Sequence, residues 1–298
     1  MDDATPSFVT ADTRVRHRHL ELDGYKVFYR EAGPSDAPVV VLPHGYPCSS
    51  FEFRNYMPRL ADHWRLIAPD FPGCGYSGTP EGFAYDFGGY SGFLERFLDR
   101  LGVRRFVLYL HDFGTWIGLR LAMRRPEAIV ALIIQNGDVY EDALGPKYAD
   151  LKATLVLPPG ERRAKLAGAV SIDEFKAEFL NHVGPDVAET LPPDLWHLHG
   201  SLMTPQRRAI TVGVLEDLKA NFDWFPRYQA WLREHRPATL LLWGPTDGYM
   251  PEKSARAYLR DLPDAELHLF DDAGHWLLET HLDPAVALTR DFLARVHA

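Results

Sequence analysis

Cysteine is scarce in this chain of 298 residues. Cys48 and Cys74 are the only two, too few for a disulfide framework and not spaced as metal ligands. A reducing compartment, the cytoplasm, is therefore the expectation. No apolar run approaches the ~18 residues of a membrane span, and the acidic start Met1-Asp2-Asp3-Ala4-Thr5-Pro6 lacks the apolar stretch of a secretory leader. Positive charge is in deficit: 32 Lys and Arg stand against 41 Asp and Glu, a net charge of −9. That balance argues against nucleic acid or an anionic membrane as a partner. What the chain has in quantity is apolar residues, 46% of the total, enough for the core of one large domain or of a domain with an insertion.

The N-terminal segments His17–Leu22 and Lys26–Glu31 alternate around Asp23-Gly24 and read as a β-hairpin, with a longer turn as the alternative. Pro38–Leu42, Arg65–Ala68, Phe106–Leu110 and Ile129–Ile134 are short continuous apolar runs. Helical patterns separate the last three, the strongest at Tyr90–Leu101 and ended by Gly102. Such strands alternating with helices predict a parallel sheet covered on both faces. After Gly137 the rhythm breaks, and residues 138–235 contain helix-like patches at Ile172–Leu180 and Thr211–Leu218. It resumes with strand Ala238–Trp243, helix Glu252–Leu262, strand Glu266–Phe270 and helix Pro284–Val296. The expectation is an α/β fold with a mostly parallel eight-stranded sheet. Its core is formed by 1–137 and 236–298 and interrupted by a helical cap at 138–235.

The most informative stretch is Phe106–Thr115, where a buried-strand pattern ends in His111-Asp112-Phe113-Gly114 and becomes helical. A polar residue on such a turn, with Gly two positions on, fits a nucleophile elbow. Asp112 alone would equally serve as a helix N-cap. Two further polar residues follow later strands: Asp247 in Gly-Pro-Thr-Asp-Gly, and His275 in Ala-Gly-His-Trp. Catalysis in open parallel sheets collects beyond the carboxyl ends of the strands, and the order nucleophile, acid, histidine is that of α/β-hydrolases. His44-Gly45-Tyr46-Pro47 follows the third strand, where an oxyanion-hole loop belongs, so the backbone N–H groups of Tyr46 and Phe113 are the expected donors. A carboxylate nucleophile can attack an sp³ carbon and leave an ester for histidine-activated water to hydrolyse.

These motifs, with Asp70-Phe-Pro-Gly-Cys-Gly-Tyr-Ser77, make the chain resemble the α/β-hydrolase superfamily nearly end to end. The resemblance is to its Asp-nucleophile branch of epoxide hydrolases and haloalkane dehalogenases. It implies a cofactor-free hydrolase in which Asp112 attacks, His275 activates water and Asp247 orients the imidazole. The substrate would be small and mainly apolar, with water as the second reactant; a homodimer stays open. Haloalkane dehalogenases carry Trp after the nucleophile to hold halide, whereas Phe113 has no donor, and His-Gly-x-Pro leans towards epoxide hydrolases. Epoxide opening is thus the first expectation and dehalogenation the alternative, with a non-catalytic binder of small ligands as the reading from another class. The resemblance also implies two cap tyrosines that bind the epoxide oxygen: Tyr228 for one, Tyr148 or Tyr140 for the other. His44, Trp196 and Trp276 complete the candidates for substrate contact. Leu110 stands where the family has a small residue at the elbow.

Overall fold

The computed structural model describes residues 12–180 and 183–297; the acidic segment Met1–Pro6 lies outside them. Eight strands form one sheet in the order β1-β2-β4-β3-β5-β6-β7-β8. They are β1 (Arg16–Leu22), β2 (Tyr25–Ala32), β3 (Val39–Val41), β4 (Arg65–Pro69), β5 (Phe106–His111), β6 (Ile129–Gln135), β7 (Ala238–Trp243) and β8 (Glu266–Leu269). Strand β2 pairs antiparallel with both β1 and β4, and the pairs from β4 through to β8 are parallel. The N-terminal hairpin closes with Leu22 opposite Tyr25. Its turn is therefore the two-residue one, with Asp23 at φ 53° and Gly24 at φ 82°.

The continuous apolar runs have a direct cause. Alternate residues of β5, Val107 and Tyr109 against Phe106, Leu108 and Leu110, enter separate buried clusters on the two faces of the sheet. One face is covered by α1 (Phe87–Arg100) and α2 (Phe113–Arg124), the other largely by the C-terminal helix Leu282–Val296. Helix α1 starts three residues before the predicted Tyr90, because Asp86 caps it by accepting from the Gly89 N–H at 2.7 Å. Leu110 does not disturb the elbow. A Cβ on Gly118 of α2 would meet Leu110 Cδ2 at 2.3 Å, so the leucine fills the space that a glycine leaves on the facing helix.

Between β6 and β7 the described residues form helices and no strand: α3 (Pro146–Leu155), α4 (Pro159–Gly168), α5 (Ile172–Leu180), α6 (Pro185–Ala188), α7 (Asp194–Ser201), α8 (Pro205–Phe222) and α9 (Phe225–His235). Polar bonds fasten this insertion to loops of the core. Gly145 and Lys147 N–H donate to the Tyr249 and Gly248 carbonyls at 2.6 and 3.1 Å. Arg207 donates to the Gly75 and Ser77 carbonyls at 2.7 Å each. After β7 comes α10, which ends at Tyr258, short of the predicted Leu262. There the chain turns and presents Asp261 to Tyr140 and Arg233. No described helix is long and apolar enough to cross a membrane.

Candidate active site

Asp112 sits between β5 and α2 with φ 49° and ψ −127°, a conformation that costs a non-glycine residue roughly 1–3 kcal/mol. Its side chain makes no capping bond to α2. Instead its Oδ1 accepts the Tyr46 backbone N–H at 2.6 Å, and the neighbouring Phe113 N–H helps to hold the carboxyl pKa down. Oδ2 lies 3.6 Å from His275 Nε2. The elbow geometry therefore turns the carboxylate away from its own helix and onto the loop after β3. Gly114, two positions on, is required there: a Cβ would stand 2.1 Å from the Pro43 carbonyl oxygen.

His275 donates from Nδ1 to Asp247 Oδ2 at 2.7 Å. Asp247 is held in turn by the Tyr249 N–H on Oδ1 at 2.8 Å and by the Asn136 amide on Oδ2 at 3.0 Å. Burial alone would depress the imidazole, but Asp247 and then Asp112 hold His275 up to about 9. Burial would likewise raise Asp247, yet the bonded His275 brings it down to about 2. Burial lifts the Asp112 carboxyl, opposed by His275, His111 and the two N–H donors. At His275 the two facing carboxyl groups thus outweigh burial, whereas at Asp112 burial outweighs the groups that oppose it.

A cavity of about 720 Å³, counted with its opening, runs past Asp112 and His275 and is walled by Tyr46, Phe113, Tyr148, Glu174, Glu178, Tyr249 and Trp276 among others. Of the expected substrate contacts it gathers Tyr148 and Trp276. Four others must be corrected. Tyr228 is fully buried; its hydroxyl accepts from Arg120 Nε at 2.8 Å and donates to Asn221 at 2.9 Å, because a buried guanidinium on α2 demands partners there. Tyr140 donates to Asp261 at 2.8 Å, away from the cavity. Trp196 is buried within the insertion, and no part of it reaches the cavity wall. His44 lines a neighbouring cavity, its ring tied to the Gly45 carbonyl and the Phe71 N–H.

Several residues of the site were not anticipated. Asn136, after β6, bonds Gly244 through both ends of its amide and reaches Asp247; a polar residue two positions after the run Ile129–Ile134 was the available signal. Tyr249, two residues beyond Asp247, donates to Glu178 at 3.1 Å. Behind His275, the His111 ring lies 4.6 Å away, centroid to centroid, with its Nε2 on the His275 carbonyl at 3.1 Å. Asp138 is fully buried with both carboxyl oxygens lacking a hydrogen-bond partner that meets ordinary geometry, and the Tyr148 hydroxyl lies beside it. For Glu174 and Glu178 no local sequence signal pointed to the cavity.

A family model described as the α/β hydrolase fold matches residues 38–282. The chain belongs to the α/β-hydrolase fold family. It is 30% identical over 281 residues to an uncharacterized hydrolase of Saccharomyces cerevisiae, spanning 93% of this chain and 96% of that one. It is 40% identical to a haloalkane dehalogenase of Bradyrhizobium diazoefficiens, over 118 residues only, 40% of this chain and 38% of that protein. A solved haloalkane dehalogenase from Bradyrhizobium elkani superposes with a TM-score of 0.80 at 24% identity, covering 95% of this chain and 99% of that one. The family model and the superposition bear out the α/β-hydrolase fold, and the described sheet the eight mostly parallel strands.

Proposed function

We propose that this α/β-hydrolase fold protein cleaves a bond from an sp³ carbon to its leaving group through an ester of Asp112, and that the leaving group is a halide. The observation that carries the reading is the Asp112 carboxylate itself: one oxygen held by the Tyr46 backbone N–H, the other turned towards His275 and the cavity. Oδ2 attacks carbon and the leaving group departs with the bonding electron pair. Esterification removes the negative charge beside His275 Nε2, so the imidazole becomes easier to deprotonate at the step that needs a base. Water attacks Cγ while His275 takes its proton. The developing oxyanion is Oδ1, already bonded to the Tyr46 N–H, with the Phe113 N–H as the second donor that the elbow implies. Collapse breaks the Cγ–Oδ2 bond, releases the alcohol and leaves one water oxygen on Asp112.

The relatives named haloalkane dehalogenase favour halide over the epoxide chemistry first expected. Trp276 Nε1 already donates to the Glu178 carbonyl at 3.2 Å and the Tyr249 hydroxyl to its carboxylate at 3.1 Å, so the wall offers a departing group the Tyr148 and Tyr46 hydroxyls. Glu174 and Glu178 at the cavity suit neutral rather than anionic substrates. Residues 138–235 act as the cap that closes the cavity over Asp112, with Tyr148 and Leu215 among its contributions. Epoxide opening stays as the second reading for one reason: burial keeps the Tyr148 phenol protonated, and a neutral phenol is a proton donor for a ring oxygen. Incubation with neutral haloalkanes beside styrene-type and aliphatic epoxides, with halide and diol followed, separates the two. Halide release without diol supports the proposal; diol without halide reverses it.

A further inference from the structure

A second cavity of about 710 Å³, likewise counted with its opening, adjoins the one that holds Asp112. Two side chains, Tyr46 and Phe113, belong to the walls of both. Their rings stack at 5.6 Å between centroids with 20° between planes, so the same residues whose N–H groups face the carboxylate form a partition with their side chains. The far side is lined by Phe71, Tyr90, Ile117, Met203, Ile210 and Val214. Its histidines, arginine and threonine are bonded within the protein. His44 is held by Gly45 and Phe71, His199 by Leu195 and Ser49, Arg207 by the Gly75 and Ser77 carbonyls, and Thr211 by the Arg207 carbonyl. Burial also keeps the Cys48 and Cys74 thiols protonated. The surface left to an occupant is therefore overwhelmingly apolar.

The partition is secured unequally. Phe113 packs edge-on to Phe87 and stacks on Trp116. The Tyr46 hydroxyl, by contrast, is buried without a hydrogen-bond partner among the described residues, so its ring, packed against Phe113 and Phe175, is not pinned by its own hydroxyl. We infer that the second chamber is a subsite for an unbranched alkyl arm of the substrate, reached past the Tyr46 ring. The enzyme is then selective for molecules whose reacting carbon carries two arms, one in each chamber. The inference rests on attack by Asp112 in the first chamber.

The test uses internal bromoalkanes and internal epoxides with one arm fixed and the other lengthened, on the parent and on Val214→Trp, which fills the second chamber. Each methylene that enters an apolar site tightens binding by about fourfold. The parent should gain in kcat/KM by that order per added methylene, and Val214→Trp should lose the gain while treating the shortest member within twofold of the parent. Equal gains in both proteins would overturn the subsite. If Val214→Trp fails to fold by circular dichroism, Ile210→Phe takes its place. Binding of the matching unreactive secondary alcohols, followed by the shift in melting temperature, separates the two ideas. A length dependence that Val214→Trp abolishes, with no turnover of any halide or epoxide, would retain the subsite and reject the proposed reaction. A length dependence unchanged by the variant would reject the subsite whatever the turnover.

Discussion

The edge of the sheet and the helices above it contribute to the cavity by different means. At the edge, Asp112, Asp247 and His275 each follow a strand, and a main-chain group takes part in holding each: the Tyr46 N–H on Asp112, the Tyr249 N–H on Asp247, and the His275 carbonyl under His111 and Gln135. In the insertion, side chains are fixed by one another. Arg120 claims Tyr228 and Asn221, Asp261 claims Tyr140, and Glu178 claims both Tyr249 and Lys147. A triad built on strand ends stays put when single side chains change. Where such bonds reach the wall, at Glu178 and Tyr249, one substitution re-aims it.

That contrast is broken most forcefully at Asp112. Asp112→Ala should lower turnover by roughly 10⁴-fold or more, read as product release under saturating substrate; substantial residual activity would remove the carboxylate from the chemistry. His275→Gln should still form the ester and then stall, appearing as a substrate-sized mass increase on intact protein, and an unmodified mass after incubation would place the histidine before the attack. Single turnover of the parent in ¹⁸O water should label Asp112.

The tyrosines sharpen the contrast next. Tyr148→Phe removes a cavity hydroxyl proposed to meet the departing group and should slow ester formation by roughly ten- to a thousand-fold, with ester hydrolysis nearly unchanged; pre-steady-state kinetics distinguish the steps. Tyr228→Phe should leave both rates within about twofold. It should instead destabilise the protein by about 1–3 kcal/mol in denaturant unfolding, since Arg120 loses a buried partner. Rates depressed without loss of stability would return Tyr228 to the pocket.

The smallest expected effect concerns pH. His275 has its pKa raised to about 9, above the ~6.5 of an unfolded chain. Its contribution to stability is complete below pH ~6.5 and disappears as pH rises through about 9. The melting temperature of the parent relative to His275→Gln should therefore fall across that window. Asp247 runs the other way: its contribution is present above the ordinary carboxylate pKa and is lost as pH falls through about 2. A difference between parent and variant that stays flat from pH 6 to 9.5 would mean that the imidazole is neutral at rest.

The triad was legible because strand, turn and helix patterns fix where a residue stands relative to a sheet edge, and position there almost determines direction. Even Leu110, a departure from the family pattern at the elbow, was absorbed by Gly118 eight residues on. The insertion was legible as helices, with α5 at the predicted bounds, yet not as a surface. Whether the Tyr228 phenol faces substrate depends on Arg120, 108 positions earlier, and no periodicity carries that information. Glu178 reaches the cavity from one face of a helix whose neighbours decide what is covered. Asn136 lay between these cases: its place after a buried strand was visible, but its bond to Asp247 required knowing that β6 and β7 are neighbours.

The backbone of Asp112 has a consequence of another kind. At φ 49° and ψ −127° the chain adopts a shape that glycine takes freely and aspartate does not. Asp112→Gly and Asp112→Ala both lose the carboxylate, but only glycine sheds the backbone strain of about 1–3 kcal/mol, so the glycine variant should melt a few degrees higher. Selection for stability alone would drift towards an inert protein at this position. An aspartate that persists there is a mark of use, and thermostabilising screens run on this chain without an activity readout will tend to remove it.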